Sequence, residues 1–362
     1  MFNRKIFNVL GLYVGPTPAT GFHLSSGLYS GTSLISQLNR IQSVTDDWQQ
    51  SRVEVNQLGQ LGALDRIIVA PPVAAVDFSW HSADFSNERL LGFDVSGVNP
   101  CITNFVNKSQ DEKNYFIAAA PEGTDLYNYT GQSQTITVSN GAISSYRAEG
   151  GVGRLPTVSV KAEGLNWAAT TGSILQLLKA VDRNSGTVVT NGMLFTLPVG
   201  TTGMSDAPVA LRPGDITVNI SNAALGLSIS DLKIQNYNIN IPLTREDLMK
   251  LGAFYAYSKE IRWPLTATAS ITARLGDIQT GDLSQMYCND IPYNLTVLLH
   301  QPSCSGYGAT QMSYSLQGFK VDGESNSMSI GSDSMVTLNY TSPISNATGS
   351  SAYGVFMSGN SW

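Results

Sequence analysis

The sequence predicts a mainly-β protein in which one β unit occurs twice. Residues 41–74 recur without a gap at residues 234–267, an offset of 193 positions, and 9 of these 34 positions are identical. Ordinary residue frequencies would give roughly two identities in such a window. The composition also favours β structure with many turns, because the chain contains 34 Gly and 15 Tyr and only 13% charged residues. A duplicated unit points to symmetric assembly more readily than to a single active site.

Each copy of the repeat is predicted to contain a strand followed by a short helix. The stretch IQNYNINI at residues 234–241 alternates apolar and polar residues, which is typical of a half-buried strand. A hydroxyl followed three residues later by a carboxylate then has the form of a helix capping box, with Ser51 and Glu54 in the first copy and Thr244 and Asp247 in the second.

Glycine and proline close this unit at equivalent positions. Gly59 and Gly252 each follow a leucine and predict the end of a helix of about two turns, because glycine readily takes the left-handed conformation found there. Pro71 and Pro264 then precede period-two runs and predict the start of a second strand. A helix this short must pack on a larger surface, so the unit is predicted to be a β domain with one flanking helix.

An arginine occupies the same helix position in both copies. Arg52 and Arg245 would each place a cation in the first turn, where it opposes the helix dipole. One interpretation is a solvated side chain, and the other is a salt bridge to a neighbouring domain or subunit. We favour the second. The candidate interface or helix-docking residues are therefore Ser51, Arg52, Glu54, Gly59 and Pro71 in the first copy, and Thr244, Arg245, Asp247, Gly252 and Pro264 in the second.

The chain divides into two predicted domains with connecting segments. Residues 171–205 are predicted to contain a helix at 173–183 and a strand at 192–199, and Ser313-Tyr314 repeats the pair Ser145-Tyr146 in a later strand. The predicted boundaries are an N-terminal arm at 1–35, a first domain at 36–170, a connection at 171–205, a second domain at 206–342 and a C-terminal arm at 343–362.

Charge and hydropathy exclude several classes of partner. A formal net charge of -6 gives no basic footprint for gripping nucleic acid. A neutral-polar surface instead suits extensive contact between copies of the chain. The first residues lack the long apolar core of a secretory signal, and no run of about 18 apolar residues predicts a membrane-spanning helix. Three scattered cysteines predict reduced, inert thiols.

The sequence contains no recognisable catalytic or metal-binding motif. His23, His81 and His300 lie outside any nucleophile signature. The spacing of Cys288, His300 and Cys304 lacks the paired near neighbours of structural zinc sites. No enzymatic activity and no cofactor or metal are therefore predicted.

Four stretches resemble bacteriophage tail tube proteins, the subunits that stack as rings into the tails of long-tailed phages. They are VGPTPATGFH at 14–23, LNRIQSVTDDWQQSRVEVNQLGQLGALDRI at 38–67, SSYRAEGGVGRLPTVSVKAEGLN at 144–166 and YNINIPLTREDLMKLGAFYAYSKEIRWPL at 237–265. The resemblance covers most of residues 1–340. It implies two tandem β-sandwich or half-barrel tube domains, each with a short flanking α-helix. The long terminal arms depart from the family pattern.

The resemblance also implies an assembly and its partners. Six tube domains close a ring whose inner strands surround a channel, and a chain with two domains would form it as a homotrimer with pseudo-sixfold symmetry. A homohexamer is the less favoured arrangement. Expected partners are further copies of the chain, the tape measure protein and transiting DNA in the lumen, tail terminator and distal tail proteins, and in some tails a sheath. The expected location is the virion tail, assembled in the host bacterial cytoplasm and used for genome ejection.

Three other interpretations remain open from the sequence. Another virion ring protein, such as a tail terminator or neck component, would form one ring instead of many stacked rings. An outer-membrane β-barrel would explain the alternating strands and the terminal Trp362, but no signal sequence accompanies them. An enzyme on a β scaffold has no nominated residues.

Overall fold

The protein is mainly β, which confirms the predicted fold class. The computed structural model describes residues 10–16, 35–95, 112–121, 126, 133–172, 175–178, 180–182, 187–188, 193–196, 210–220, 233–274, 292–304, 306–328, 334–344 and 353–359. These residues form twenty-three strands, one short α-helix and one 3₁₀ turn. None of the helices described is long and apolar enough to cross a membrane.

The first half of the chain contributes ten strands and the helix α1 (Ser86–Leu91). Strand β10 (Asn166–Gly172) pairs with the first part of β8 (Ser133–Gly151), and β8 then continues to pair with β9 (Arg154–Gly164), with a bulge between Ile143 and Ser145. The strands are β1 (Leu10–Pro16), β2 (Ser36–Gln37), β3 (Ile41–Gln49), β4 (Arg52–Val55), β5 (Asp65–Ile68), β6 (Val73–His81), β7 (Lys113–Ala119), β8 (Ser133–Gly151), β9 (Arg154–Gly164) and β10 (Asn166–Gly172).

The second half contributes nine strands after a connecting segment. The connecting strands are β11 (Leu175–Leu178), β12 (Val181–Asp182), β13 (Thr187–Val188) and β14 (Met193–Thr196), and the 3₁₀ turn is Pro213–Asp215. The strands of the second half are β15 (Ile216–Ile220), β16 (Lys233–Pro242), β17 (Arg245–Leu248), β18 (Ser258–Ile261), β19 (Thr266–Arg274), β20 (Tyr293–His300), β21 (Thr310–Ser327), β22 (Met335–Pro343) and β23 (Gly354–Gly359).

The two halves repeat the same strand pairings. Strand β1 corresponds to β15, and β3 to β10 correspond in order to β16 to β23. The offset of 193 relates β3 to β6 with β16 to β19, and the bulge at Ile41/Ser43 recurs at Ile234/Asn236. An offset of 178 relates β8 and β9 with β21 and β22, and the bulge at Ile143/Ser145 recurs at Val321/Gly323. The sequence repeat is therefore also a structural repeat.

The two halves join into one wall of eight antiparallel strands. We call this run of strands the wall: β21 (residues 320–327), β22, β19, β16, β8 (residues 142–151), β9, β6 and β3. Along β6, Val76, Phe78 and Trp80 are buried while the alternate side chains face outward. One face of the wall thus packs on the core, and the other is exposed and polar.

The predicted flanking helices are wrong. Residues 52–55 and 245–248 are strands of two hairpins, β4–β5 and β17–β18, paired in equivalent registers. The capping pattern is a local signal, and cross-strand pairing outweighs it. Gly59 and Gly252 do take left-handed conformations, with φ of 90° and 82°, but they serve the connections between hairpin strands. Pro71 and Pro264 precede β6 and β19, as expected.

The connection differs from expectation, and the described parts of both predicted arms are strands of the sheet. The predicted helix at 173–183 is wrong where it is described, because Leu175–Leu178 is a strand paired with β14. The strand predicted at 192–199 is present as Met193–Thr196. Part of the predicted N-terminal arm, β1, lies inside the sheet against β7. Part of the predicted C-terminal arm, β23, pairs with β21. The rest of both arms lies outside the described residues.

Candidate functional site: the junction between the two halves

The two halves meet through an antiparallel strand pair between β8 and β16. Residues 145–151 of β8 pair with residues 236–242 of β16, from Ser145 with Pro242 to Gly151 with Asn236. Gly150 lies directly against the ring of Tyr237, and a Cβ at this glycine would come within 2.7 Å of that ring. The absence of a side chain at residue 150 therefore allows close approach of the two strands. We call this pairing, together with the hairpin β17–β18, the inner junction.

The hairpin β17–β18 anchors the second half on the first. The guanidinium Nε of Arg245 donates to the carbonyl of Ile143 at 3.1 Å, at the bulge where β8 leaves its regular ladder. The backbone N–H of Leu243 donates to the neighbouring carbonyl of Ser144 at 2.8 Å. The ammonium of Lys259 lies 3.4 Å from the carbonyl of Glu163 on β9. Three donors from the second half thus reach backbone acceptors of the first.

The same hairpin carries an internal ion pair. The ammonium of Lys259 lies 3.5 Å from Asp247, and the Lys259 side chain is only 3% exposed. A buried ammonium is stabilised only when it has such partners, so Asp247 and the Glu163 carbonyl together allow Lys259 to be buried.

A buried polar cluster lies behind the strand pair on the core side. The hydroxyl of Tyr146 donates to Glu88 at 3.0 Å and lies 2.9 Å from the hydroxyl of Tyr314, which belongs to the second half. Burial raises the pKa of Glu88 to about 8 and the pKa of Tyr146 well above its usual value. Glu88 is therefore predominantly protonated at neutral pH and occupies the core without a charge.

Helix α1 positions Glu88 in this cluster. The helix has only six residues and ends at Gly92, which has φ of 101°. Asp84 holds its start, because the Asp84 carboxylate accepts from the Ser86 backbone N–H at 2.9 Å and from Arg40 at 2.7 Å. Pairing and burial therefore fix the helix in place, since so short a helix is not stable alone.

The predicted interface residues fall on the two hairpins and on the segments that lead into β6 and β19. Arg52 and Arg245 each donate to a carbonyl across their own hairpin, to Arg66 and Lys259, at 3.5 Å. Glu54 pairs with Arg66 at 3.6 Å, as Asp247 pairs with Lys259. Among the described candidates, Arg245 also forms a hydrogen bond to the other half, through the carbonyl of Ile143.

The two hairpins differ in exposure. In the first copy, Ser51, Arg52, Glu54 and Gly59 are exposed and Pro71 is half-buried. The side chain of Arg66 is 65% exposed, against 3% for its counterpart Lys259. The exposed large apolar side chains of the first hairpin and its flanks are Val53, Val55, Leu58, Leu61, Leu64, Ile67, Ile68 and Val69.

Both ends of the wall are open among the described residues. Strand β3 pairs only with β6, and we call its other side the first edge. Residues 323–327 of β21 pair only with β22, and we call the other side of residues 323–328 the second edge. Trp48 on the first edge is 58% exposed and Met328 on the second is 63% exposed. Such edges are templates for pairing with another strand.

The exposed face of the wall is polar and nearly neutral around the inner junction. Arg147 pairs with Glu149 at 2.7 Å, and Lys161 pairs with Glu163 at 3.5 Å. The remaining outward side chains are mainly Ser, Thr and Asn, including Asn238 and Ser270. This face offers no concentration of one charge sign.

The histidines of the described residues have structural surroundings. The ring nitrogens of His300 lie 3.0 Å from the Thr217 hydroxyl and 3.3 Å from the Thr310 hydroxyl. His81 ends β6, and burial lowers its pKa. Within the part of the chain that the structure describes, no three His, Cys, Asp or Glu residues converge on a possible metal position. The geometry of the described residues supports a contact site.

Several residues at and near the inner junction are not among the predicted interface residues. Lys259 and Arg66 occupy the same repeat position and are both cations, so that signal was present in the sequence. Tyr146 and Tyr314 were noted as a repeated pair, but the 178-residue offset shows that they are not equivalent positions. Their hydroxyls instead meet each other, and a long-range contact of this kind leaves no local pattern.

Comparisons with known proteins give no family assignment. No family model matches the chain, and no curated protein matches it.

Proposed function

We propose that the protein is a structural subunit of a phage tail tube, and that copies of it close into rings that stack into a hollow tail. The observation that carries the proposal is the repeat of strand pairings together with the inner junction. One half of the chain already meets the other head to tail through strand edges, and the same two kinds of edge are open at the ends of the wall. A head-to-tail contact that repeats with rotation generates a ring.

The two repeated halves of the chain support a ring of three chains. Each chain supplies two equivalent four-stranded segments of wall, so three chains supply the six segments that the family resemblance implies. Contacts within and between chains would then alternate around the ring. A ring of six chains would need a wider circle with twelve segments.

The polar face of the wall suits the lining of a channel. Closure would bury the strand edges and leave the exposed face in contact with water. A nearly neutral face rich in Ser, Thr and Asn lets DNA pass without strong attachment, since phosphate binding depends on concentrated positive charge. The tape measure protein would occupy the same channel before DNA. Terminator and distal tail proteins would bind at the ends of the tube, and a sheath would surround it in a contractile tail.

The hairpin tips favour stacked rings over a single ring. Leu58 and Leu61 are fully exposed near the tip of the first hairpin, and Leu251 and Phe254 are exposed at the equivalent positions of the second. Apolar side chains presented at the same place on both halves indicate a contact that repeats around the assembly. A neighbouring ring is the partner that would meet all of them at once.

Electron microscopy of the purified protein over a range of concentrations tests the proposal. We expect rings of uniform bore with six repeated features per three chains, and tubes at higher concentration. Monomers under all salt conditions would contradict the proposal. Single rings that never stack would support a terminator or neck component instead.

A further inference from the structure

The two open edges are the counterparts of the two strands that meet in the inner junction. Strand β3 corresponds to β16 with an offset of 193, and residues 320–327 of β21 correspond to residues 142–149 of β8 with an offset of 178. Even the bulge that precedes the pairing is kept. Each chain therefore contains one complete junction, and it also carries the two open edges that a second junction of the same kind would need.

We propose that the first edge of one copy pairs with the second edge of another copy in the register of the inner junction. This inference rests on the proposed function in that it assumes copies of the chain assemble. Transferring the six pairs of the inner junction from Tyr237 with Gly150 to Pro242 with Ser145 by the two offsets gives Val44 with Met328, Thr45 with Ser327, Asp46 with Asn326, Asp47 with Ser325, Trp48 with Glu324 and Gln49 with Gly323.

The hairpin β4–β5 supplies the matching anchors. Arg52 corresponds to Arg245 and would donate to the partner copy's carbonyl at position 321, which the bulge removes from its own ladder. Arg66 corresponds to Lys259 and would reach the carbonyl at position 341 of that partner copy. This assignment explains why the hairpin is exposed in one chain, since its docking surface belongs to a second.

The occupant of each edge is another copy because the two edges are complementary and lie at opposite ends of one wall. Among the described residues they do not pair with each other, because β3 pairs with β6 and residues 323–327 of β21 pair with β22. The strands at the two ends of the wall also run in opposite directions, so that their pairing is antiparallel like the inner one. The proposed contact continues an interface that the molecule already contains.

The proposed junction between copies is more polar than the inner junction. Tyr146 and Ala148 of the inner junction are replaced by Glu324 and Asn326, and Ile239 by Asp46. Asp46 already accepts from the indole N–H of Trp167 at 2.8 Å, and Asn326 donates to Glu324 at 3.0 Å. Carboxylates on the covered face weaken pairing, so the contact between chains is the more easily opened of the two.

Paired cysteines test the register. In a background with Cys101, Cys288 and Cys304 changed to Ser, Thr45→Cys combined with Ser327→Cys should give disulfide-linked dimers and trimers on a non-reducing gel after mild oxidation. The matched control is Asn238→Cys with Glu149→Cys, the equivalent pair of the inner junction. That variant should lose its free thiols and remain a single chain.

The outcomes separate this inference from the proposed function. Tubes in which Thr45→Cys with Ser327→Cys forms no bond between chains, or in which Thr45→Cys with Ser325→Cys bonds more efficiently, would overturn the register and leave the function standing. If the disulfide forms in the proposed register but the rings never form tubes, the result would support the register and contradict the proposed function as a tail tube. A chain with only one of these cysteines can form one disulfide at most, so each single-cysteine variant should give no disulfide-linked trimer.

Discussion

The two hairpins β4–β5 and β17–β18 share the same internal contacts but differ in what surrounds them. Both carry an arginine that bonds across the hairpin, a cross-strand ion pair and a left-handed glycine. The hairpin β17–β18 packs on the first half through Arg245 and Lys259, while the side chains of β4–β5 are exposed. The difference lies in what each hairpin can reach within one chain. In the proposed assembly, the exposed first hairpin is the place where a second copy would dock.

The largest expected effect concerns Glu88, the buried acid behind the inner junction. Burial raises the pKa of Glu88 from 4.5 to about 8, and each unit of such a difference corresponds to about 1.4 kcal/mol. The unfolded chain ionises first, so Glu88 favours the folded state fully below pH 4.5 and loses this contribution as the pH rises to 8. Urea unfolding of the wild type and Glu88→Gln at pH 5, 7 and 8.5 measures this.

We expect the variant to gain stability relative to the wild type between pH 5 and 8 and the difference to level off above pH 8. The open edges hold no buried carboxyl in the described residues, so Glu324→Gln should show no such trend. A wild-type curve parallel to that of Glu88→Gln would show that Glu88 is not buried as an uncharged acid.

The next largest effect compares equivalent positions of the two junctions. Tyr146 is fully buried, so Tyr146→Ala should lower the free energy of unfolding by about 3–5 kcal/mol. Glu324 occupies the equivalent position on the second edge and is exposed, so Glu324→Ala should change the unfolding of dissociated chains by less than about 0.5 kcal/mol. Denaturant unfolding in dilute solution measures both. Equal losses would mean that the second edge is already covered within one chain.

The smallest effect separates the two arginines. Arg245→Ala removes donors to the first half and should lower the free energy of unfolding by about 1–2 kcal/mol. Arg52→Ala should leave unfolding of the dissociated chain nearly unchanged and raise the concentration needed for ring formation. Light scattering and denaturant unfolding on both variants give the comparison. If Arg52→Ala assembles like the wild type, the first hairpin is not an anchor.

The repeat and the mainly-β class could be predicted from the sequence, because the repeated identities and the period-two alternation are local in the chain. The flanking helices could not be judged from Ser51, Glu54, Thr244 and Asp247 alone. A capping box describes the residues next to it, whereas the partner strands begin 13 positions after Arg52 and after Arg245. Pairing outweighed the local preference in both copies.

The inner junction was beyond sequence reasoning for a related reason. Residues 145–151 and 236–242 are far apart in the chain, and neither stretch carries a mark of the other. Gly150 carries no sequence signal of its partner, although its lack of a side chain allows Tyr237 to approach. Arg52 and Arg245 are a partial signal: Arg245 donates to the Ile143 carbonyl of the first half. The salt bridge to a neighbouring domain or subunit stays a prediction.

The even number of antiparallel strands in the wall has a consequence for strand direction at the ends of each copy. Since the count per chain is even, the strand that opens one copy always runs opposite to the strand that closes the copy before it. Any number of copies can therefore be joined without a seam of parallel strands. Strand direction places no restriction on how many chains complete the circle, and the bend at each junction sets that number.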